Sequence, residues 1–176
     1  DKALRDRFIV VGARMDNLGI HEMTVDGETV RGIYTGANGN ASGLAVLLEL
    51  ARKVATNSIM FRRSVIFVAF GASCETMAGS WYFLNRDFNG VGQIDAMINL
   101  DMIGIPDENG FYAYTASNTD MNAVLSTAAG NLQPVTPFLT AAEPYPSDHR
   151  AFYDREIPSV YFTTGRYPEH NTVRDT

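Results

Sequence analysis

The chain carries one cysteine, Cys74, among 176 residues. A lone cysteine excludes an internal disulfide and a zinc module built from clustered cysteines, and it leaves the redox compartment open. Basic residues are in the minority: 14 Lys and Arg stand against 20 Asp and Glu, for a formal net charge of -6. The positive residues are scattered, so the electrostatic footprint of a nucleic-acid binder is missing, and an acidic membrane is an equally poor partner. No apolar run is long enough to span a bilayer, which argues against membrane insertion. The opening residues Asp1-Lys2-Ala3 hold neither a methionine nor an apolar leader, so the sequence reads as a processed or excised part of something longer. Phosphate-binding signatures are missing too. The glycine-rich stretch Gly36-Ala37-Asn38-Gly39-Asn40-Ala41-Ser42-Gly43 has no Lys-Ser/Thr ending and no Gly-x-Gly-x-x-Gly spacing, which argues against a nucleotide loop.

What is present is material for a core. Hydrophobic residues make up 45% of the chain, enough for one domain spanning 1–176 and too little length for two. The glycine-rich stretch is expected to be a loop that starts a helix, with Asn40 or Ser42 accepting from a free helical N–H. Leu44, Leu47, Leu48, Ala51 and Val54 then fall at helical spacing and give one apolar face.

Three strands are legible on either side of that helix. Phe8 to Ala13 is a short β-branched run closed by Gly12 and followed by Arg14 and Asp16; Ser64 to Phe70 is the clearest buried run; Ile94 to Asp101 ends in an acid. Residues 17–35 read as an excursion. Thr76 to Phe88 and Asp120 to Gly130 suit helices, and Phe111 to Thr115 suits a strand. Ser147 is placed to cap a short helix through Tyr153, and Ile157 to Thr163 is a last strand before a loop that holds His170. Alternating strands and helices predict an α/β fold, a three-layer α/β/α sandwich around a mostly parallel mixed sheet. In such sheets ligands collect beyond the carboxyl ends of the strands, where Arg14, Asp16, Ser73, Cys74, Glu75, Asp101 and His170 all fall.

The order of motifs along nearly the whole chain resembles one family. The residues that carry it are Val10-Val11-Gly12-Ala13-x-x-Asp16, Gly36-Ala37-Asn38-x-Asn40-Ala41-Ser42-Gly43, Phe67-Val68-Ala69-Phe70-Gly71-Ala72, Gly79-Ser80, Asn99 to Gly104, Ser147-Asp148-His149, and His170 with Asp175-Thr176. The chain is similar to the di-zinc aminopeptidases, a family that includes secreted bacterial leucyl aminopeptidases, glutamate carboxypeptidase, glutaminyl cyclase and the transferrin receptor ectodomain. The resemblance implies two zinc ions bridged by a carboxylate, with a glutamate taking a proton from bound water. It also implies a secreted or periplasmic location, and N-terminal strands and a C-terminal helix for which this sequence has no counterpart.

Placed on that pattern, the sequence departs from it. The resemblance puts a ligand histidine where Arg14 stands, the bridging aspartate at Gly39, the general-base glutamate at Ser73 and a ligand glutamate at Cys74. Asp101 and His170 remain, and the pattern assigns them to different ions; Asp16 is kept without the histidine it would orient. A guanidinium has no free lone pair for a metal. No cofactor is therefore expected, with zinc the family's own. The expected function is a non-catalytic homologue that keeps the fold as a binding or structural module for a protein or peptide. The alternatives are a metal-dependent hydrolase with an altered site and a cysteine hydrolase using Cys74 and His170. Ser73 lacks a nucleophile elbow, and His149 reads as a helix-start residue rather than a ligand. Arg14 is expected to bond Asp101 or Asp16 in place of a metal.

Overall fold

The computed structural model describes residues 2–106, 110–130 and 137–176. Strand β1 (Arg7–Arg14) is flanked by two later strands, β4 (Ser64–Phe70) and β5 (Gln93–Leu100), and β8 (Ser159–Thr163) lies beyond β5. These four pair in parallel. Two short strands, β6 (Tyr112–Tyr114) and β7 (Phe138–Thr140), extend the sheet to the order β4-β1-β5-β8-β6-β7, with β6 antiparallel to β8.

Successive side chains on a strand point to opposite faces, and both faces of this sheet are covered. Val10, Phe70 and Met97 point to one side, where Leu84, Phe88, Ala151 and Phe152 complete a cluster. Their neighbours Val11, Phe67 and Ile98 point to the other side and meet Leu44 and Leu47 of α1 (Ser42–Thr56). The first side is closed by α3 (Ala78–Tyr82), the turn after it and α5 (His149–Tyr153). This is the three-layer arrangement around a mostly parallel mixed sheet that the alternation predicts.

Several elements differ from the sequence expectation. Gly12 does not close β1: the strand runs on to Arg14, and a Cβ at Gly12 would lie 2.3 Å from the Phe70 ring, so the glycine makes room for that ring. Residues 17–35 are a hairpin, β2 (Gly19–Val25) against β3 (Glu28–Tyr34), turned by Asp26 and Gly27, both at positive φ. That turn chemistry matches the right-handed twist of the strands it joins. The helix expected over Thr76–Phe88 is broken, because Met77 adopts a left-handed φ of 55° between α2 (Ser73–Thr76) and α3. On α1 the expected face is narrower than its spacing suggests: Leu47 is buried, whereas Leu48 is 70% exposed. The helix over Asp120–Gly130 is present as α4 (Thr119–Ala129), started by the Asn118 side chain accepting from Met121 N.

Candidate functional site

Because β4, β1, β5 and β8 run the same way, their carboxyl ends reach one edge of the sheet. The chain leaving each strand supplies one wall of a cleft there: Arg14 ends β1, Ser73 to Glu75 follow β4, Asp101 follows β5, and Arg166 and His170 follow β8. A cavity of about 310 Å³ lies among them, lined by Arg14, Ser73, Cys74, Asp101, Tyr145 and His170, with Leu18, Glu75, Met77, Pro146, Ser147, Arg166 and Asn171 completing it. Six of the seven strand-end residues named from sequence share it. The seventh, Asp16, stands behind the wall and accepts from Cys74 N at 3.1 Å.

The glycine-rich stretch ties this edge together through Asn40. Its amide nitrogen donates to the carbonyls of Arg14 at 3.1 Å and Leu100 at 3.0 Å, and its oxygen accepts from Gly43 N at 3.1 Å and Met102 N at 2.9 Å. That uses the two donors and two lone pairs of the amide. Asn40 therefore caps α1, as the sequence suggests, and also fastens the ends of β1 and β5 to each other. Ser42 is bonded differently, donating to Asn38 O and accepting from Ile103 N. Across the cleft floor, Asp175 accepts from Asn38 N, Gly39 N and the Tyr167 hydroxyl, and these bonds hold its carboxyl below the usual range against the opposing effect of desolvation.

Arg14 and Asp101 form a buried ion pair. The guanidinium Nε donates to Asp101 Oδ1 at 2.9 Å, Nη1 donates to the Asp16 carbonyl at 3.0 Å, and Nη1 also lies 3.3 Å from Cys74 Sγ. Asp101 Oδ2 accepts from the Ser147 hydroxyl at 2.8 Å, and that hydroxyl accepts in turn from the Asn99 amide. Ser147 thus holds the carboxylate, where the sequence places it as a helix cap; the first turn of α5 has no side-chain cap at all. Complete burial pushes Asp101 up, against the pull of Arg14 and Ser147. Arg14 is held charged more firmly than usual: burial opposes the charge, but attraction to and hydrogen bonding with Asp101, together with Cys74 and Tyr145, outweigh it. Nη2 of Arg14 lies 3.2 Å from the point where a Cβ on Gly39 would sit, with Asp175 Oδ2 at 3.3 Å and the Tyr167 hydroxyl at 3.4 Å from the same point.

The remaining candidates fall into two groups. Ser73 donates to Asp148 Oδ2 at 2.7 Å, and burial raises the Asp148 carboxyl to about 6. Next to it, His149 opens α5, as expected. It is buried, its ring stacks 4.8 Å from that of Tyr161, and burial pushes it down to about 4 although Glu143 lies 3.0 Å from Nε2. Cys74 is pushed up, first by burial, with Arg14 pulling the other way. His170 is pushed down, by burial and then by Arg14 and Arg166, and its ring lies between those of Tyr145 and Tyr167 at 5.9 and 5.7 Å. Cys74 and His170 line the same cavity, but the hydrogen-bonding contacts of the thiol are with Arg14 and Asp16. Among the described residues, no three His, Cys, Asp or Glu side chains form a group that could hold a metal ion. Sequence reasoning missed the roles of Tyr145, Arg166 and Tyr167, which lie in loops without periodicity.

A family model described as peptidase family M28 matches residues 1–176. Among curated proteins, the chain is 27% identical over 133 residues to aminopeptidase YwaD of Bacillus subtilis, covering 74% of this chain and 29% of that one. It is 31% identical over 99 residues to a probable zinc metalloprotease of Pyrenophora tritici-repentis, covering 56% of this chain and 21% of that one. The chain thus spans less than a third of the length of these curated relatives. Its fold is similar to that of the Legionella pneumophila LapA aminopeptidase, with a TM-score of 0.79 at 21% identity over 99% of this chain and 47% of that one. It is also similar to Porphyromonas gingivalis glutaminyl cyclase, with a TM-score of 0.72 at 20% identity over 100% of this chain and 67% of that one. With the motifs, the strand-end cleft and the full-length match in agreement, the chain belongs to peptidase family M28.

Proposed function

We propose that this chain is a non-catalytic member of the family, which keeps the fold and the cleft as a binding module for a peptide or protein. The observation that carries this reading is the Arg14–Asp101 ion pair. Arg14 offers no lone pair, and Asp101 has one oxygen committed to Arg14 Nε and the other to Ser147. A carboxylate supplied from position 39 would have to enter where Arg14 Nη2, Asp175 and Tyr167 already crowd the Cβ position. The remaining candidate ligands on the cavity wall are Cys74, with its thiol pushed up, Glu75 and His170, and among the described residues no three such side chains come together in a group that could hold a metal ion. These side chains do not fit a zinc pair. Within the family, Arg14 and Gly39 are then coupled replacements: the guanidinium supplies the positive charge that Asp101 needs, and the glycine leaves it room.

Zinc content and peptidase activity test the reading together. The purified protein is expected to hold no stoichiometric zinc by elemental analysis and to leave leucyl anilides uncleaved. Two tightly held zinc ions, or hydrolysis stopped by a chelator, would restore the competing reading that family membership itself favours, a metal hydrolase with an altered site. Conversely, Arg14→His, Gly39→Asp, Ser73→Glu and Cys74→Glu combined are expected to regain zinc binding. A folded quadruple variant without zinc would show that the cleft has changed shape and not only its ligands. The cysteine-hydrolase alternative gains nothing from the geometry, and a Cys74 alkylation rate that stays low until the pH passes the ordinary thiol range of about 8.5 would close it.

A further inference from the structure

The cleft contains a cation that the ion pair does not use. Arg166 follows β8, is exposed on the cavity wall, and holds its guanidinium carbon 5.9 Å from the centre of the Tyr145 ring. Among the described residues no ion pair involves it. Arg14 lines the same cavity. Its Nε and Nη1 are engaged, but its Nη2 has no acceptor among the described residues.

We propose that this cavity binds the C-terminal carboxylate of a peptide, with the Arg166 guanidinium as its donor. The inference rests on the non-catalytic reading and deepens it by naming the ligand. Guanidinium is the side-chain group best matched to a carboxylate, since its planar fork offers parallel N–H donors. Stacking on Tyr145 holds Arg166 in place before the ligand arrives, which reduces the ordering cost of binding. Leu18, Met77 and Pro146 provide apolar wall for the terminal side chain, and about 310 Å³ is room for one or two residues rather than a folded partner. The apolar wall and the Glu75 carboxylate on the lining both disfavour an inorganic dianion more than an organic monoanion.

The test is an NMR or calorimetric titration of the chelator-treated chain with acetyl-alanyl-leucine, its C-terminal amide, and inorganic phosphate. A charge-assisted hydrogen bond of ordinary strength corresponds to about tenfold to hundredfold in affinity. The free acid is expected to bind at least tenfold more tightly than the amide. Arg166→Gln should remove that preference, Arg166→Lys should keep part of it, and Glu75→Gln should tighten the acid. Arg166 and Glu75 are exposed, and unchanged melting temperatures would show that the variants fold. Equal affinity for acid and amide, or indifference to Arg166→Gln, overturns the inference. Phosphate binding as tightly as the acid, with the same dependence on Arg166, overturns the assignment to a peptide terminus. Acid binding that needs added zinc and vanishes with chelator overturns the inference by way of the non-catalytic reading, since the carboxylate then sits on metal. No binding with or without zinc overturns the inference alone.

Discussion

Asp148 and His149 are neighbours in sequence whose titrations pull stability in opposite directions, and separating them gives a quantitative test of this structure. Burial raises the Asp148 carboxyl from 3.8 to about 6, so the folded chain holds that proton where the unfolded chain has lost it. Its contribution is fully present below the unfolded value and is lost as pH rises through about 6. Burial lowers His149 from 6.5 to about 4, so the unfolded chain holds that proton where the folded chain does not. Its contribution is present above the unfolded value and is lost as pH falls through about 4. Between those limits each state carries one proton on the pair, and the two dependences cancel. At about 1.4 kcal/mol per pH unit, each is worth roughly 3 kcal/mol across its window.

Substitution removes one arm and exposes the other. The perturbations are Asp148→Asn and His149→Gln, and the assay is urea denaturation of parent and variants between pH 4 and pH 7. Differences from the parent cancel the titration of every carboxylate they share. Relative to the parent, Asp148→Asn should lose roughly 3 kcal/mol as pH falls from about 6 to 4, and His149→Gln should gain a similar amount as pH falls from about 6.5 to 4. The arms are separable, since the groups that shift Asp148 are burial, Ser80, Ser73, Asp101 and Asp16, whereas those that shift His149 are burial, Glu143, Arg150 and Asp154. Differences that stay flat with pH, or that share one sign, would refute the reasoning.

Two further perturbations follow from the cleft. Arg14→Met leaves Asp101, 1% exposed, without its counter-charge and is expected to cost about 3–5 kcal/mol at neutral pH, while Arg14→Met with Asp101→Leu recovers most of it; a double-mutant cycle in urea checks this, and a loss below about 1 kcal/mol would mean that the pair does not hold the cleft. Asn40→Leu removes four hydrogen bonds and strands buried groups at the ends of β1 and β5, so a loss of about 3 kcal/mol or more in the same assay is expected.

The sequence by itself determined the layers. Runs such as Phe8 to Ala13, apolar on both alternating faces, find their place in a strand covered on both sides, and strand alternating with helix points to parallel pairing. Ser64 to Phe70, which reads as the clearest buried run, instead lies at the edge of the sheet with only Phe70 buried, because no described strand pairs with its outer side. Parallel pairing in turn carries Arg14, Ser73, Cys74, Asp101 and His170 to one edge, so the membership of the cleft was legible before any coordinates. The hairpin was nearly legible as well: Asp26-Gly27 is strong turn chemistry, although the strands it joins pack too little to show an apolar face. Only tertiary structure decided what bonds what. Gly12 ends nothing and accommodates the Phe70 ring, a contact with a residue 58 positions away along the chain. Ser147 carries the helix-cap pattern but gives its hydroxyl to Asp101, whose fully buried carboxylate oxygen would otherwise be left without a donor. Arg166 and Tyr145 lie in aperiodic loops, so nothing local marks them. Their meeting on one cavity wall is fixed by where β8 delivers the chain, and long-range placement of that kind has no signature in a window of neighbouring residues.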